Sequence, residues 1–126
     1  MTATQNILLV EDDDLLLELY EIALASSGYG IYQASDGATG LELIESKRPD
    51  LILLDLSMPG VSGFQVLEEL QRQRNRTPVI IISNTDDPTA IRKCRELGAV
   101  EYIVKAQTNL EQIKDIVKRT LKTVTA

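Results

Sequence analysis

A chain of 126 residues, 44% hydrophobic and 25% charged, fits one domain that can bury roughly two thirds of the surface its unfolded form exposes. A single cysteine and no histidine exclude an internal disulfide and any imidazole chemistry from the chain itself, and no apolar run approaches the roughly 18 residues of a membrane span. The net charge of −6 hides an asymmetry, with 13 acids against 2 bases in residues 1–70 and 6 against 11 in residues 71–126; acids interrupt the basic half and aromatic residues are sparse there, so a solvated surface or a protein contact is expected rather than nucleic acid.

The first apolar run, 7–10, predicts a strand that ends in Glu11, Asp12 and Asp13, followed by a helix over 14–26. A second run near 31–34 leads to a helix over 38–46. The third, 51–54, closes on Asp55 and continues through Leu56-Ser57-Met58-Pro59-Gly60 to a helix over 63–74. The fourth, 79–82, ends in Ser83, after which Asp87 can cap a helix over 88–97 that has Pro88 at its first position and Gly98 past its end. Cys94 falls beside Ile91 and Leu97 at helical spacing and reads as core. A fifth run, 100–104, ends in Lys105. The last helix, near 109–122, has Thr108 and Glu111 at capping-box spacing and Leu110, Ile113, Val117 and Leu121 along one face.

Five strand–helix units over 1–126, with a core of about 5–123, predict an α/β fold. Its doubly wound, five-stranded parallel sheet takes the flavodoxin-like order 2-1-3-4-5, with helices on both faces. The switch point of that order lies between strands one and three, the two that end in acids. Residues 1–6 have neither a basic region nor an apolar core for export, so a cytoplasmic protein without membrane contact is expected.

Strands of a parallel sheet share one carboxyl edge, so Glu11, Asp12 and Asp55 are expected to gather there. Each carboxylate pair at about 4 Å would cost on the order of 4 kcal/mol at an effective dielectric of 20, which calls for a cation. Hard oxygen donors without histidine or thiolate suit Mg²⁺. Lys105 adds a positive charge and Ser83 a hydroxyl, a set able to hold a phosphoryl group on Asp55 after nucleophilic attack by its carboxylate. With no histidine in the chain, the phosphoryl group must come from another molecule. Asp12 to Asp14 could also simply cap the first helix. Gly28-Tyr29-Gly30 precedes a strand instead of following one, which argues against dinucleotide binding, and there is no P-loop sequence.

The segments Val10-Glu11-Asp12, Asp55-Leu56-Ser57-Met58-Pro59-Gly60 with Gly63, Ser83, Leu97-Gly98-Ala99 and Tyr102-Ile103-Val104-Lys105 closely resemble the receiver domain of bacterial two-component response regulators, of the single-domain chemotaxis type. The resemblance implies that Asp55 is the phosphoacceptor and that Asp12, Asp55 and the Ser57 main-chain carbonyl bind Mg²⁺, with Glu11 acting through water. It implies that Ser83 and Tyr102 are switch residues that alter the surface of helix four, strand five and helix five for a downstream protein or a second copy. It names a histidine kinase or histidine phosphotransfer protein as phosphodonor.

Two positions depart from the family. Ala106 replaces the usual proline after the lysine, and since a cis bond before alanine costs about 2.5–4 kcal/mol, a trans bond and a rearranged connection are expected. Asn84 stands where a small residue is usual and is expected to narrow water's access to the acyl phosphate. On helix one, Leu15, Leu19, Ile22 and Ala23 are assigned to the core, and Leu16, Tyr20 and Leu24 to a face that docks the phosphodonor. Two rivals remain: a receiver that binds partners without being phosphorylated, and a phosphatase of the haloacid dehalogenase type, for which Asp12 and Asp14 have the required spacing. Residues 1–126 hold no output domain, which leaves either a regulator of one domain or an excised module.

Overall fold

The computed structural model describes residues 4–125. Five strands, β1 (Asn6–Val10), β2 (Gly30–Ala34), β3 (Leu51–Asp55), β4 (Val79–Ser83) and β5 (Glu101–Val104), alternate with helices α1 (Asp14–Ala25), α2 (Gly37–Lys47), α3 (Gly63–Arg72), α4 (Pro88–Glu96) and α5 (Leu110–Thr125). All strand pairs are parallel, in the expected order β2-β1-β3-β4-β5. Every residue of β3 and β4 is buried, because helices cover both faces of an interior parallel strand and no position faces water.

Side-chain alternation divides the core into two layers. Ile7, Leu9, Leu51, Leu53, Ile80, Ile82 and Ile103 pack against α1 and α5, while Leu8, Val10, Ile52, Leu54, Val79 and Ile81 pack against α2, α3 and α4. Counted onward past the strand ends, the same two-residue period carries Glu11, Asp55 and Lys105 to the α1/α5 face. It carries Ser83 and Tyr102 to the α4 face. Two groupings of the candidate site residues at the sheet's carboxyl edge thus follow from parity alone.

Helix α1 is rotated from the expected arc. Leu17, Tyr20 and Leu24 are buried, whereas Leu15 and Ile22 are 65% and 61% exposed and Leu19 is 38% exposed; Ala23 is half-buried. The set 17, 20, 24 is as periodic as 15, 19, 22, so a helix apolar around most of its circumference does not specify which arc turns inward. Asp13 caps this helix, accepting from the Leu15 and Leu16 N–H groups at 3.0 and 3.2 Å.

The cap of α5 also shifts, by one residue. Lys105–Gln107 forms a short 3₁₀ turn that uses up the residues after β5, and the reciprocal capping pair is Asn109 and Gln112, with both bonds at 2.8 Å, rather than Thr108 and Glu111. The face formed by Ile113, Val117 and Leu121 is buried as expected. Helix α4 begins as expected, with Asp87 accepting from the Thr89 N–H and Pro88 in the first turn, and Cys94 is fully buried. No cis peptide bond occurs among the described residues, so the bond before Ala106 is trans.

The loop between β3 and α3 is pinned from both ends by close backbone approach. A β-carbon on Gly63 would lie 2.6 Å from the Asp55 carbonyl oxygen and 2.7 Å from the Leu56 Cα, and one on Gly37 would lie 2.4 Å from the Val61 carbonyl oxygen. Both positions therefore require glycine. No helix among the described residues is long and apolar enough to cross a membrane.

Candidate functional site

At the carboxyl edge, oxygens of Glu11, Asp12 and Asp55 lie within 4.8 Å of one another. Glu11 and Asp55 are buried, at 2% and 3% exposure, while Asp12 sits exposed on the rim. The cluster draws on β1 and β3 because those strands are direct neighbours at the switch point. Local bonds set the carboxylates in place: Asp55 Oδ1 accepts from the Ser57 N–H at 3.2 Å, and Glu11 Oε2 accepts from the Asp13 N–H at 3.2 Å. Lys105 reaches across from the end of β5, its Nζ 2.6 Å from Glu11 Oε1 and 3.5 Å from Asp55 Oδ2. The alanine at 106 therefore does not withdraw the lysine from the cluster. An all-carboxylate donor set with one member open to solvent fits a hard divalent cation such as Mg²⁺ and suits neither a soft metal nor a closed structural site.

Ser83 is fully buried, and its Oγ accepts from the Thr85 N–H at 3.2 Å. The Tyr102 hydroxyl donates to the Thr85 carbonyl at 2.8 Å. Burial pushes the Tyr102 phenol above its usual acidity range, with the Ser83 hydroxyl pulling the other way. Both expected switch residues are thus tied to Thr85, a residue the sequence reading passed over. Its signal was the Ser83-Asn84-Thr85 spacing, which lets a hydroxyl bond the backbone two residues on. Asn84 itself is exposed and borders a cavity with Lys105, Ala106 and Leu16.

The docking face assigned to Leu16, Tyr20 and Leu24 is not a surface. Leu24 is fully buried and Tyr20 is 4% exposed, and Leu16 packs against the same core layer, because the rotation of α1 turns this arc toward the sheet. The apolar residues α1 presents outward are Leu15, Leu19 and Ile22. Asp14, the second acid the phosphatase reading requires, is exposed at the first position of α1 and lies outside the cluster.

Burial pushes the Glu11 carboxyl up to about 7; the Lys105 ammonium pulls it down, and Asp55 raises it further. A folded-state value above the ordinary carboxylate range means the folded protein binds the extra proton. This contribution to stability is complete below about pH 4.5 and is lost as pH rises through about 7. In a chelating buffer, urea unfolding is expected to show stability falling across that window by on the order of 3 kcal/mol, and Glu11→Gln, which cannot ionise, should flatten the fall. Excess Mg²⁺ should also flatten it. An identical pH slope in the two proteins would contradict this assignment.

Residues 7–118 match the response regulator receiver domain family. The chain is 36% identical over 100 residues to the transcriptional regulatory protein AfsQ1 of Streptomyces coelicolor, covering 79% of this chain and 44% of that protein. It is 32% identical over 122 residues to the regulatory protein AtoC of Escherichia coli, covering 97% and 26%. It therefore spans less than half the length of either relative. Among solved structures, the chemotaxis protein CheY4 of Vibrio cholerae superposes with a TM-score of 0.85 at 26% identity, covering 93% of this chain and 98% of that one. A CheY-like response regulator receiver domain protein of Methanospirillum hungatei gives a TM-score of 0.90 at 26% identity, covering 96% of each. With its sheet order, its acidic edge and this match over most of its length, the chain belongs to the response regulator receiver domain family.

Proposed function

We propose that this receiver domain is a cytoplasmic phosphoacceptor switch of a two-component phosphorelay. Asp55 takes a phosphoryl group from a histidine kinase, a histidine phosphotransfer protein or a small phosphodonor. The observation that carries this reading is the Lys105 ammonium held against two buried carboxylates, Glu11 and Asp55, at one edge of the sheet. Nothing in a purely structural role requires buried acids from neighbouring strands to converge where a third strand delivers a cation.

In the transfer, an Asp55 carboxylate oxygen forms the new O–P bond while the donor's P–N or P–O bond breaks, and the bonding electron pair departs with the donor. The Ser57 N–H holds Asp55 Oδ1 and so orients the carboxylate before the donor arrives. Lys105, within 3.5 Å of Asp55 Oδ2, would neutralise charge on the incoming phosphoryl oxygens. Asp12, Asp55 and the Ser57 main-chain carbonyl are the groups that would hold Mg²⁺, with Glu11 reached through water; when bound, the ion would offset the negative charge of the carboxylates and the phosphoryl group. No turnover of an external substrate is proposed beyond self-phosphorylation and slow self-hydrolysis.

Ser83 would exchange its bond with the Thr85 N–H for one to a phosphoryl oxygen, and the Tyr102 ring would fill the space released. Thr85, bonded to both side chains, links the two movements. The surface of α4, β5 and α5 would then favour a downstream protein or a second copy, as one of two packings already accessible. Over α1, the phosphodonor protein would meet Leu15, Leu19 and Ile22 instead of the buried arc.

Incubation with Mg²⁺ and a small acyl phosphate should add the mass of one phosphate to the native chain and none to Asp55→Asn, read by intact mass spectrometry. Equal uptake by both proteins, or none by the native chain, would contradict the reading. After donor removal, phosphorylated Asn84→Ala should lose its phosphate severalfold faster than the native protein, because the exposed Asn84 side chain no longer narrows the water path beside Lys105. An unaltered rate would remove Asn84 from the account.

A further inference from the structure

Helix α2 opens with two glycines one turn apart, Gly37 and Gly40, both buried. Neither has a positive φ, so the backbone conformation of this turn does not ask for glycine, and glycine weakens a helix relative to alanine. What both positions lack is room. A β-carbon on Gly37 would lie 2.4 Å from the Val61 carbonyl oxygen and 3.0 Å from the Val61 Cβ and Cγ1, and one on Gly40 would lie 3.1 Å from both Val10 methyls. Residues three apart share one helix face, so one bare face of α2 rests on Val10 and Val61 together.

These contacts reach the two segments that carry the candidate cation ligands. Val10 is the last residue of β1, next to Glu11 and Asp12. Val61 lies on the loop that leads from Asp55 through Ser57 to Gly63. The turn before α2 makes a third contact, since the Glu11 N–H donates to the Ala34 carbonyl at 3.0 Å. Asp36 holds the start of the helix, accepting from the Thr39 N–H at 2.7 Å and from the Thr39 hydroxyl at 3.1 Å. Val61, Leu56 and Met58 of the loop pack in the same core layer as Val10 and Ala34. The turn that opens α2 thus touches both limbs of the acidic edge while supplying none of its carboxylates.

We propose that this turn is a platform for the cation pocket, and that Gly37 and Gly40 are positioning residues that set the spacing between Asp12, at the end of β1, and the Ser57 carbonyl, on the loop. The proposal rests on the reading of Asp12, Asp55 and the Ser57 carbonyl as the Mg²⁺ donors. Only Met58, Pro59 and Gly60 separate Ser57 from Val61, and the φ of Pro59 is fixed by its ring, so a displacement of Val61 reaches the Ser57 carbonyl. Mg²⁺ demands near-ideal octahedral geometry. A donor moved by the amount that a new β-carbon imposes on Val61 therefore lowers affinity even where the fold survives.

The test measures Mg²⁺ dissociation constants by titration of backbone amide shifts in the folded, unphosphorylated protein, with thermal unfolding followed in parallel. Gly37→Ala should weaken Mg²⁺ binding about tenfold, the scale on which loss of a support outside the ligand set lowers metal affinity. Ala38→Ser, at the exposed neighbouring position, should bind Mg²⁺ as the native protein does. Gly40→Ala should weaken binding less than Gly37→Ala, because its β-carbon meets side-chain methyls instead of backbone. A native dissociation constant in Gly37→Ala, even with a lowered unfolding temperature, overturns the proposal, because the glycine would then serve packing alone. Should Gly37→Ala not fold, Gly40→Ala decides the question by the same constant. Native protein that shows no saturable Mg²⁺ binding overturns the reading of the pocket itself, an outcome distinct from equal affinities.

Discussion

Two carboxylates buried at one edge of a sheet, with a third on the rim, repel one another, and the rest of this structure is arranged around containing that repulsion. Each pair at about 4 Å opposes folding by on the order of 4 kcal/mol at an effective dielectric of 20. Lys105 offsets part of it through its contacts with Glu11 and Asp55, and burial shifts Glu11 toward its neutral form. With all three carboxylates ionised, as a bound cation would favour, the Lys105 ammonium leaves a formal charge of −2, which one divalent cation would balance. Under the proposed function, the site is a place where the fold accepts local instability in exchange for a ready response to cations and phosphoryl groups.

Much of this was legible in the sequence, for a definite reason. The runs 51–54 and 79–82 are apolar at every position because β3 and β4 are covered on both faces, so their ends could be read without knowing a register. Once the strands are parallel, Glu11, Asp55, Ser83 and Lys105 share an edge by topology. The rotation of α1 was not legible. Leucines, an isoleucine and a tyrosine surround most of that helix, so two arcs are equally periodic and the pattern does not choose between them. The cap of α5 was misread because the 3₁₀ turn after Lys105 leaves no period in the sequence, and Asn109 with Gln112 mimics Thr108 with Glu111 one residue away. Thr85 escaped notice because its part is played by its backbone.

Side-chain parity explains how one edge serves two tasks. Glu11, Asp55 and Lys105 fall on the face shared with α1 and α5, where a phosphodonor would act under the proposed function. Ser83 and Tyr102 fall on the face covered by α4, where an altered packing can be felt by a partner. A change at Asp55 need cross only one pair of strands to reach the second face, since β3 and β4 are hydrogen-bonded neighbours with Asp55 opposite Ile82, the residue before Ser83. The Tyr102 hydroxyl, held by the Thr85 carbonyl, is the element whose position would report that change.

The central claim is that acids from β1 and β3 form one divalent-cation pocket, and a Mg²⁺ titration followed residue by residue through backbone amide NMR shifts tests it most directly. The account predicts saturable, one-to-one binding, with the largest shifts at Glu11, Asp12, Asp55, Ser57 and Lys105, and loss of those shifts in Asp12→Asn. Binding without saturation, or shifts spread over the acidic surface and unaffected by that substitution, would contradict it.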